Sequence, residues 1–325
     1  MRKKSAIIFG CTGQDGSYLT EYLLTLNYKV YGIVRKTSSN LFINIQHLLD
    51  NNKYKNQLNI EKGDLLDPLS VSRLIDTINP DEIYNLADQD HVAWSHAIPY
   101  YSFQVTSASL LNILETIRYR NKKIKYFHPC SSNMFGKTTT KFQNEHTKFN
   151  PQSPYAIAKT TAFYTMRHYR ENYGLFASTA IFYNHESPRR TADYVSRKIT
   201  SSVVKIIEKK LKYLELGDIS AKIDWGFSKE YVIAAHKILQ LKTPTDLIIG
   251  TGKEYSVEEF ARDAFKYVGL EYKKFIKINK KFIRPAKNSP LFADISKAKK
   301  LINFQPKIYK NKLVQLMMDA ELKKL

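Results

Sequence analysis

The first 26 residues combine a short apolar run, a glycine-rich turn and a helical pattern, in that order. Residues 4–9 predict a buried strand, residues 10–16 contain three glycines, and residues 18–26 continue as a helix-like run. Glycines at this spacing permit a tight turn and close approach of the backbone to a pyrophosphate, and a helix N-terminus attracts that anion. The segment therefore predicts a strand, loop and helix that bind a dinucleotide. The residues predicted to contact it are Gly10, Thr12, Gly13, Gln14, Asp15 and Gly16.

The turn after the second predicted strand bears on which dinucleotide is bound. Residues 28–34 predict that strand, and the sequence Arg35-Lys36-Thr37-Ser38-Ser39 follows it. A protein that prefers NAD usually presents an acid here to the ribose hydroxyls. Two cations and three hydroxyls suit a 2′-phosphate instead, so we predict NADP with Arg35 as a contact. A solvated basic turn is the alternative interpretation.

Apolar strand-like runs alternate with amphipathic runs along the next part of the chain. This alternation is typical of a parallel sheet with helices on both faces. The predicted fold class is α/β, a Rossmann-type doubly wound parallel sheet with a smaller, mixed C-terminal substrate lobe. The further strand-like runs are residues 57–60, 82–86, 125–129 and 176–181. Asp64 and Leu65 after the third strand are predicted to hold the adenine, and Leu86 and Ala87 after the fourth are predicted to line the cofactor crevice.

The length of 325 residues allows two lobes. We predict a dinucleotide-binding domain over residues 1–183 and a substrate-binding lobe mainly over residues 184–325, where charged loops mix with helices. Segments near residues 224–250 are predicted to return to the sheet.

A serine, a tyrosine and a lysine form the candidate catalytic set. Tyr155 and Lys159 lie four positions apart, so on a helix both side chains point into the same cleft. A phenol with a pKa of about 10 becomes a base near neutral pH only if nearby cations favour the phenolate. Lys159 and an oxidised nicotinamide would supply them, and Ser131 would hydrogen-bond the same substrate hydroxyl. An ordinary amphipathic helix is the alternative, and the preceding dinucleotide motif argues against it.

Composition excludes several other classes of function. The net charge of +21 comes from scattered lysines without a nucleic-acid recognition motif, so we expect no specific nucleic-acid partner. No apolar run is long enough to span a bilayer and no secretory signal is visible, so we expect a cytoplasmic protein without a membrane partner. Cys11 and Cys130 lack a metal-ligand spacing, and we expect reduced thiols and no metal.

The motifs together resemble the extended short-chain dehydrogenase/reductases, and among them the GDP-mannose 4,6-dehydratase family, over nearly the whole chain. The resemblance implies that Asn184, Lys198 and Arg284 contact a GDP-sugar and that His185 and Arg190 help to hold NADP. It also implies a homodimer or homotetramer. The motifs that carry it are Gly10-Cys11-Thr12-Gly13-Gln14-Asp15-Gly16, Tyr84-Asn85-Leu86-Ala87, Ser153-Pro154-Tyr155-Ala156 with Lys159, Asn184-His185-Glu186-Ser187-Pro188-Arg189-Arg190, Asp224-Trp225-Gly226 and Arg284-Pro285.

One departure from that family concerns the chemistry itself. Where the dehydratases carry Thr-Ser-Glu, this chain has Ser131-Ser132-Asn133. In the family the glutamate removes the C5 proton after C4 has been oxidised, and a neutral amide has no useful proton affinity. The exchange therefore predicts C4 oxidation without efficient dehydration, with Asn133 as a neutral contact to the sugar.

Two acids, Asp88 and Asp90, occupy positions where the dehydratases carry small or hydroxyl residues. Either could alter the choice of sugar, and Asp90 is a candidate substrate contact that could also replace the missing base. We expect an NADP-dependent enzyme that acts at C4 of GDP-mannose or a GDP-heptose. The alternatives are a GDP-mannose 4,6-dehydratase that uses another base, a 4-epimerase or keto-sugar reductase, and a noncatalytic regulator that binds NADP or a nucleotide-sugar.

Overall fold

The computed structural model describes residues 2–37, 42–282 and 289–324. The predicted contacts Ser38, Ser39 and Arg284 lie outside the described residues. The strands are β1 (Ser5–Phe9), β2 (Lys29–Val34), β3 (Leu58–Lys62), β4 (Glu82–Asn85), β5 (Lys125–Ser131), β6 (Phe142–Gln143), β7 (Ala177–Phe182), β8 (Asn184–Glu186), β9 (Leu214–Leu216), β10 (Lys222–Phe227), β11 (Asp246–Ile249), β12 (Glu254–Ser256), β13 (Ile276–Ile278) and β14 (Phe292–Ala293).

Helices follow most strands of the first half. The α-helices are α1 (Gln14–Thr25), α2 (Gln46–Leu49), α3 (Pro68–Ile78), α4 (Val92–Ala97), α5 (Pro99–Phe103), α6 (Ser109–Arg120), α7 (Pro154–Tyr173), α8 (Val195–Ile207), α9 (Ser228–Leu239), α10 (Val257–Tyr267), α11 (Ser296–Ile302) and α12 (Asn311–Leu322).

The central sheet has seven strands in the order β11-β7-β5-β4-β1-β2-β3. The pairs from β3 across to β7 are parallel, with Ile7 of β1 opposite Tyr31 of β2 and Ile83 of β4. The predicted doubly wound α/β fold is therefore confirmed. The chain changes direction across the sheet between β1 and β4, and in such sheets ligands bind outside the carboxyl ends of the strands at that point.

An apolar cluster covers one face of this sheet and fixes α7 on it. Strand residues such as Ile7 and Ile83 pack with side chains of α3, α6 and α7. Helix α7 begins where Ser153 accepts a hydrogen bond from the Ala156 amide at 3.1 Å and ends at Gly174 in the left-handed conformation. Burial of each large apolar side chain contributes about 2 kcal/mol, which holds the helix in one register.

The chain forms two compact units. The first comprises the residues up to Gly136, Phe149–Phe182 and Val232–Leu247, and the second comprises Lys137–Lys148, Tyr183–Tyr231 and the residues from Ile248 onward. Residues 137–148 thus belong to the second unit, although the predicted boundary places them in the first, because β6 within this segment pairs with β14.

The second unit contains a sheet of β12, β10 and β8. Asp224 of β10 is buried there and accepts hydrogen bonds from the amides of Thr251 at 2.8 Å, Gly252 at 2.8 Å and Ala293 at 3.0 Å. Within the described parts of the chain, no helix is both long and apolar enough to cross a membrane.

Candidate active site

Tyr155 and Lys159 lie one turn apart on the buried face of α7. The Tyr155 amide donates to the Ser95 hydroxyl at 3.1 Å, which attaches the start of α7 to α4. Both side chains belong to the first unit and are almost fully buried. Because the helix sets their spacing and the sheet sets their face, the two side chains lie together in the interior, with the Lys159 ammonium 5.9 Å from the centre of the Tyr155 ring, as the i,i+4 spacing predicts.

Ser131 ends β5 and faces the same tyrosine. Its hydroxyl oxygen accepts hydrogen bonds from the Asn133 backbone amide and from Asn133 Nδ2, both at 3.2 Å. The Ser131 hydroxyl lies close enough to the Tyr155 phenol to act to lower the pKa of that phenol. Since the serine oxygen already accepts two hydrogen bonds, the hydroxyl proton remains available to donate. Asn133 therefore orients the Ser131 hydroxyl, a contact that the sequence analysis did not anticipate.

The Lys159 ammonium has two partners in the interior. It contacts the Asp88 carboxylate directly and donates to the Pro129 carbonyl oxygen at 2.6 Å. Sequence reasoning placed Asp88 toward the sugar, whereas the structure buries it against Lys159. The only available signal was its position three residues beyond β4, at the carboxyl end of the sheet where side chains from several strands meet.

The electrostatics of the tyrosine reflect these neighbours. Burial raises the pKa of the Tyr155 phenol above its ordinary value, Lys159 and the Ser131 hydrogen bond act to lower it, and the acids Asp90 and Asp88 raise it further. Burial dominates in the protein alone. A cation supplied by a bound oxidised nicotinamide is therefore needed for the phenolate that the sequence analysis expected.

The glycine-rich loop fits the backbone approach of a dinucleotide. Gly10 has a φ of +79°, and a Cβ there would lie 2.5 Å from the Leu86 carbonyl oxygen. A Cβ on Gly16 would strike the backbone of Gly10. The loop thus packs against the Leu86 and Ala87 segment, whose amide at Leu86 donates to the Phe9 carbonyl at 2.9 Å. At Gly10 and Gly16, therefore, only a residue without a side chain fits the backbone packing.

Helix α1 starts directly after that loop. Its N-cap is Gly13, which has no side chain to cap the helix, and Asp15 lies in the first turn and accepts from Gln14 Nε2 at 3.2 Å. The Thr12 carbonyl accepts from Asn44 at 3.0 Å, which secures the loop. A helix N-terminus at the switch point of the sheet is suited to a pyrophosphate.

The remaining predicted cofactor residues of the first unit follow β2 and β3. The Arg35 guanidinium is exposed and donates to the Tyr101 hydroxyl at 2.7 Å. The Asp64 carboxylate accepts from the Leu66 amide at 2.9 Å. Leu65 packs into the apolar core, so an adenine could contact its backbone but not its side chain.

Four residues predicted to contact the cofactor or the sugar nucleotide lie in the second unit. Asn184 and His185 belong to β8, where the His185 ring lies 4.7 Å from the ring of Tyr231. Arg190 lies 3.4 Å from the Glu186 carboxylate and stacks over Tyr194. The Lys198 ammonium of α8 lies 3.8 Å from the centre of the Phe282 ring, and burial lowers its pKa.

Comparison with known proteins finds matches that extend over most of the chain. The family model for GDP-mannose 4,6 dehydratase matches residues 7–317. GDP-mannose 4,6 dehydratase 1 of Arabidopsis thaliana is 42% identical over 326 residues, covering 98% of this chain and 90% of that protein.

Solved structures share the fold at much lower identity. DesIV, a dTDP-glucose 4,6-dehydratase from Streptomyces venezuelae with NAD and TYD bound, has a TM-score of 0.87 at 17% identity, covering 98% of this chain and 97% of that chain. RMD from Pseudomonas aeruginosa, complexed with NADPH, has a TM-score of 0.82 at 17% identity, covering 99% and 100%.

Proposed function

Because the chain belongs to the GDP-mannose 4,6-dehydratase family, we propose that it oxidises C4 of a GDP-mannose-type sugar with a nicotinamide cofactor and without efficient dehydration. The observation that carries this proposal lies in the first unit, where the side-chain amide of Asn133 donates to the Ser131 hydroxyl at 3.2 Å, beside the buried Tyr155. A dehydratase needs a base at C5, and an amide in this position supplies none.

The chain's own residues have distinct roles in the proposed reaction. The bound cofactor supplies an acceptor for the C4 hydride. Tyr155 takes the proton of the C4 hydroxyl, Ser131 orients that hydroxyl, and Lys159 stabilises the phenolate and binds the nicotinamide ribose. The C4–H electron pair leaves with the hydride, and the products are a 4-keto sugar, a reduced cofactor and a proton held by Tyr155.

NADP is the proposed cofactor because Arg35 at the end of β2 offers an exposed guanidinium to a 2′-phosphate. The RMD structure contains NADPH and the DesIV structure contains NAD, so relatives of this fold use either form. Titration of the purified protein with both forms tests the choice. Tighter binding of NAD than of NADP contradicts the role of Arg35.

For the sugar nucleotide, we propose contacts from Asn184, Lys198 and Arg284, with Asp90 near the sugar. Cations suit the pyrophosphate, and an amide can recognise a sugar or phosphate oxygen. GDP-mannose and a GDP-heptose are the two proposed substrates.

A second candidate function is a dehydratase in which Asp90 replaces the missing base. The observation that favours it is that Asp90 is exposed at the loop after β4 and close enough to Tyr155 for its charge to raise the phenol pKa. In that case the product has lost water and the cofactor returns to its oxidised form.

One incubation separates the two candidates. The protein is mixed with NADP⁺ and GDP-mannose, or with a GDP-heptose, while cofactor absorbance and the mass of the sugar nucleotide are followed. A keto product with reduced cofactor and no loss of water supports the C4 oxidation, whereas loss of water without net reduction of the cofactor contradicts it. The Asn133→Glu variant should gain dehydration, and Asn133→Gln is the matched control that should not.

We further propose that the protein assembles as a homodimer or homotetramer in the cytoplasm. Helices α6 and α7 present large exposed side chains, including Leu111, Ile157 and Tyr164. Exposed apolar side chains on adjacent helices are suited to pairing with a second copy. Sedimentation of the purified protein tests this, and a monomer at micromolar concentration would contradict it.

A further inference from the structure

The side chains of the ion pair between Asp88 and Lys159 are almost fully buried. They are 5% and 4% exposed. The ammonium has three N–H donors and uses one on Asp88 and one on the Pro129 carbonyl. Among the described residues, the third N–H has no hydrogen-bond partner, and the ammonium lies 5.9 Å from the centre of the Tyr155 ring.

Within the described part of the chain, the second oxygen of the Asp88 carboxylate and the neighbouring His128 ring are buried without hydrogen-bond partners. Asp88 Oδ1 has no hydrogen-bond partner among the described residues, and neither ring nitrogen of His128 has one. His128 Nε2 lies 3.6 Å from Asp88 Oδ2, beyond hydrogen-bonding distance. Buried polar atoms are almost always paired, so an incompletely paired carboxylate beside a catalytic lysine needs a reason other than stability.

We propose that Asp88 is a positioning residue that aims the Lys159 ammonium and offsets part of its charge, so that the site accepts the cationic, oxidised nicotinamide while Lys159 still stabilises the phenolate. This inference rests on the proposed function, because it concerns the same Tyr155 and Lys159 pair. Without the carboxylate, an uncompensated ammonium would face a cationic ring in a poorly solvated pocket. The reduced ring is neutral and feels no such repulsion.

Charge states at neutral pH are consistent with this role. Burial raises the pKa of the Asp88 carboxyl to about 6, with Lys159 opposing that shift and Asp90 adding to it. Burial acts to lower the pKa of Lys159, but the acidic groups around it, Asp88 foremost and then Tyr155 and Cys130, together raise that pKa above the ordinary value. His128 stays neutral because burial and Lys159 lower its pKa. The titratable groups that face the pair are Asp90, Tyr126, His128, Cys130 and Tyr155.

The first test measures cofactor affinity without turnover. The dissociation constants of NADP⁺ and NADPH are determined by calorimetry at pH 7.5 for the wild type and for Asp88→Asn, which keeps the shape of the side chain. We expect the variant to lose about tenfold in affinity for NADP⁺ relative to NADPH. Equal losses for both forms would overturn the proposal, because a purely structural role does not distinguish them.

The matched control is Asp246→Asn. Asp246 forms another largely buried ion pair of the first unit, with Arg170 at 2.6 Å. This variant should lower thermal stability and leave the ratio of the two affinities unchanged. A ratio that moves as much as in Asp88→Asn would show that loss of any buried pair produces the effect, and the proposal would fail.

The wild type offers a test that needs no variant. Lowering the pH below about 6 protonates Asp88. The preference for NADP⁺ over NADPH should then decline, and in Asp88→Asn it should stay flat over the same range. The 2′-phosphate is common to both cofactor forms and cancels in the ratio. If the ratio of NADP⁺ to NADPH affinity in the wild type does not change with pH, the role of Asp88 is refuted and the proposed function is not. If the wild type binds neither cofactor, the proposed function is refuted as well.

Discussion

Strand β4 has a buried carboxylate near each end, and the two differ in how they are paired. At its amino end, the carboxylate of Glu82 accepts hydrogen bonds from Tyr84 at 2.8 Å, Gln240 at 2.9 Å and Tyr28 at 3.0 Å. Beyond its carboxyl end, Asp88 binds Lys159 through one oxygen and leaves the other without a partner among the described residues.

In the proposed function, this difference separates a structural hydrogen-bond network from one that serves the site. A fully paired buried carboxylate holds neighbouring elements together and has no capacity for a ligand. An incompletely paired carboxylate costs stability and is retained where charge matters for binding or catalysis. The position along the strand agrees with this, because ligands of parallel sheets bind at the carboxyl ends.

The largest expected effect is at the carboxyl end. Tyr155→Phe removes the proposed base, so turnover should fall by about 10²- to 10⁴-fold or more. Cofactor binding should persist, because the buried ring remains in place. Steady-state kinetics and calorimetry measure the two quantities. Near-normal turnover in a folded variant would remove Tyr155 from the mechanism.

The opposite pattern is expected at the amino end. Glu82→Ala leaves the buried hydroxyls of Tyr28 and Tyr84 without their acceptor and opens a cavity, so the free energy of unfolding should fall by about 2–4 kcal/mol. Glu82→Gln keeps the volume and should cost less. Denaturant unfolding measures both. Because this network lies away from the site, turnover per folded molecule should not change. A large loss of turnover in the Glu82 variants would contradict the distinction between the two ends of β4.

The smallest effect concerns the thiols at the carboxyl ends of β1 and β5. Burial raises the pKa of Cys11 to about 12 and also raises the pKa of Cys130. At pH 8 both should therefore remain protonated and fail to react with a disulfide reagent until the protein unfolds.

The sign of the corresponding stability effect follows from linkage. The folded state holds these protons to higher pH than the unfolded state, whose thiols titrate near 9.0. The contribution is complete below pH 9 and is lost as the pH rises through the folded value. In the labelling experiment, rapid reaction of either cysteine in the native protein at pH 8 would contradict the prediction. It would show that the sheet edge at the carboxyl ends of β1 and β5 opens more readily than its packing implies.

Much of the fold and part of the site could be predicted from local patterns. The run from residue 4 to residue 26 specifies a strand, a turn that only glycine fits and a helix, and the structure contains them as β1, the loop and α1. The spacing of Tyr155 and Lys159 specifies a shared helix face for the same reason, because helical geometry is local.

The partners of those side chains were not predictable in this way. Asp88, Pro129 and Lys159 come from three separate segments of the chain. No local sequence pattern indicates which buried groups from distant segments come into contact. Asp88 has the same chemistry whether it faces a sugar or an ammonium. The sequence alone determined the dinucleotide-binding unit and the Tyr–Lys spacing, since both depend on backbone geometry within a few residues. Only the tertiary structure decided that the Asp88 side chain is buried and forms an ion pair with Lys159, since burial and pairing depend on how the strands and α7 pack together.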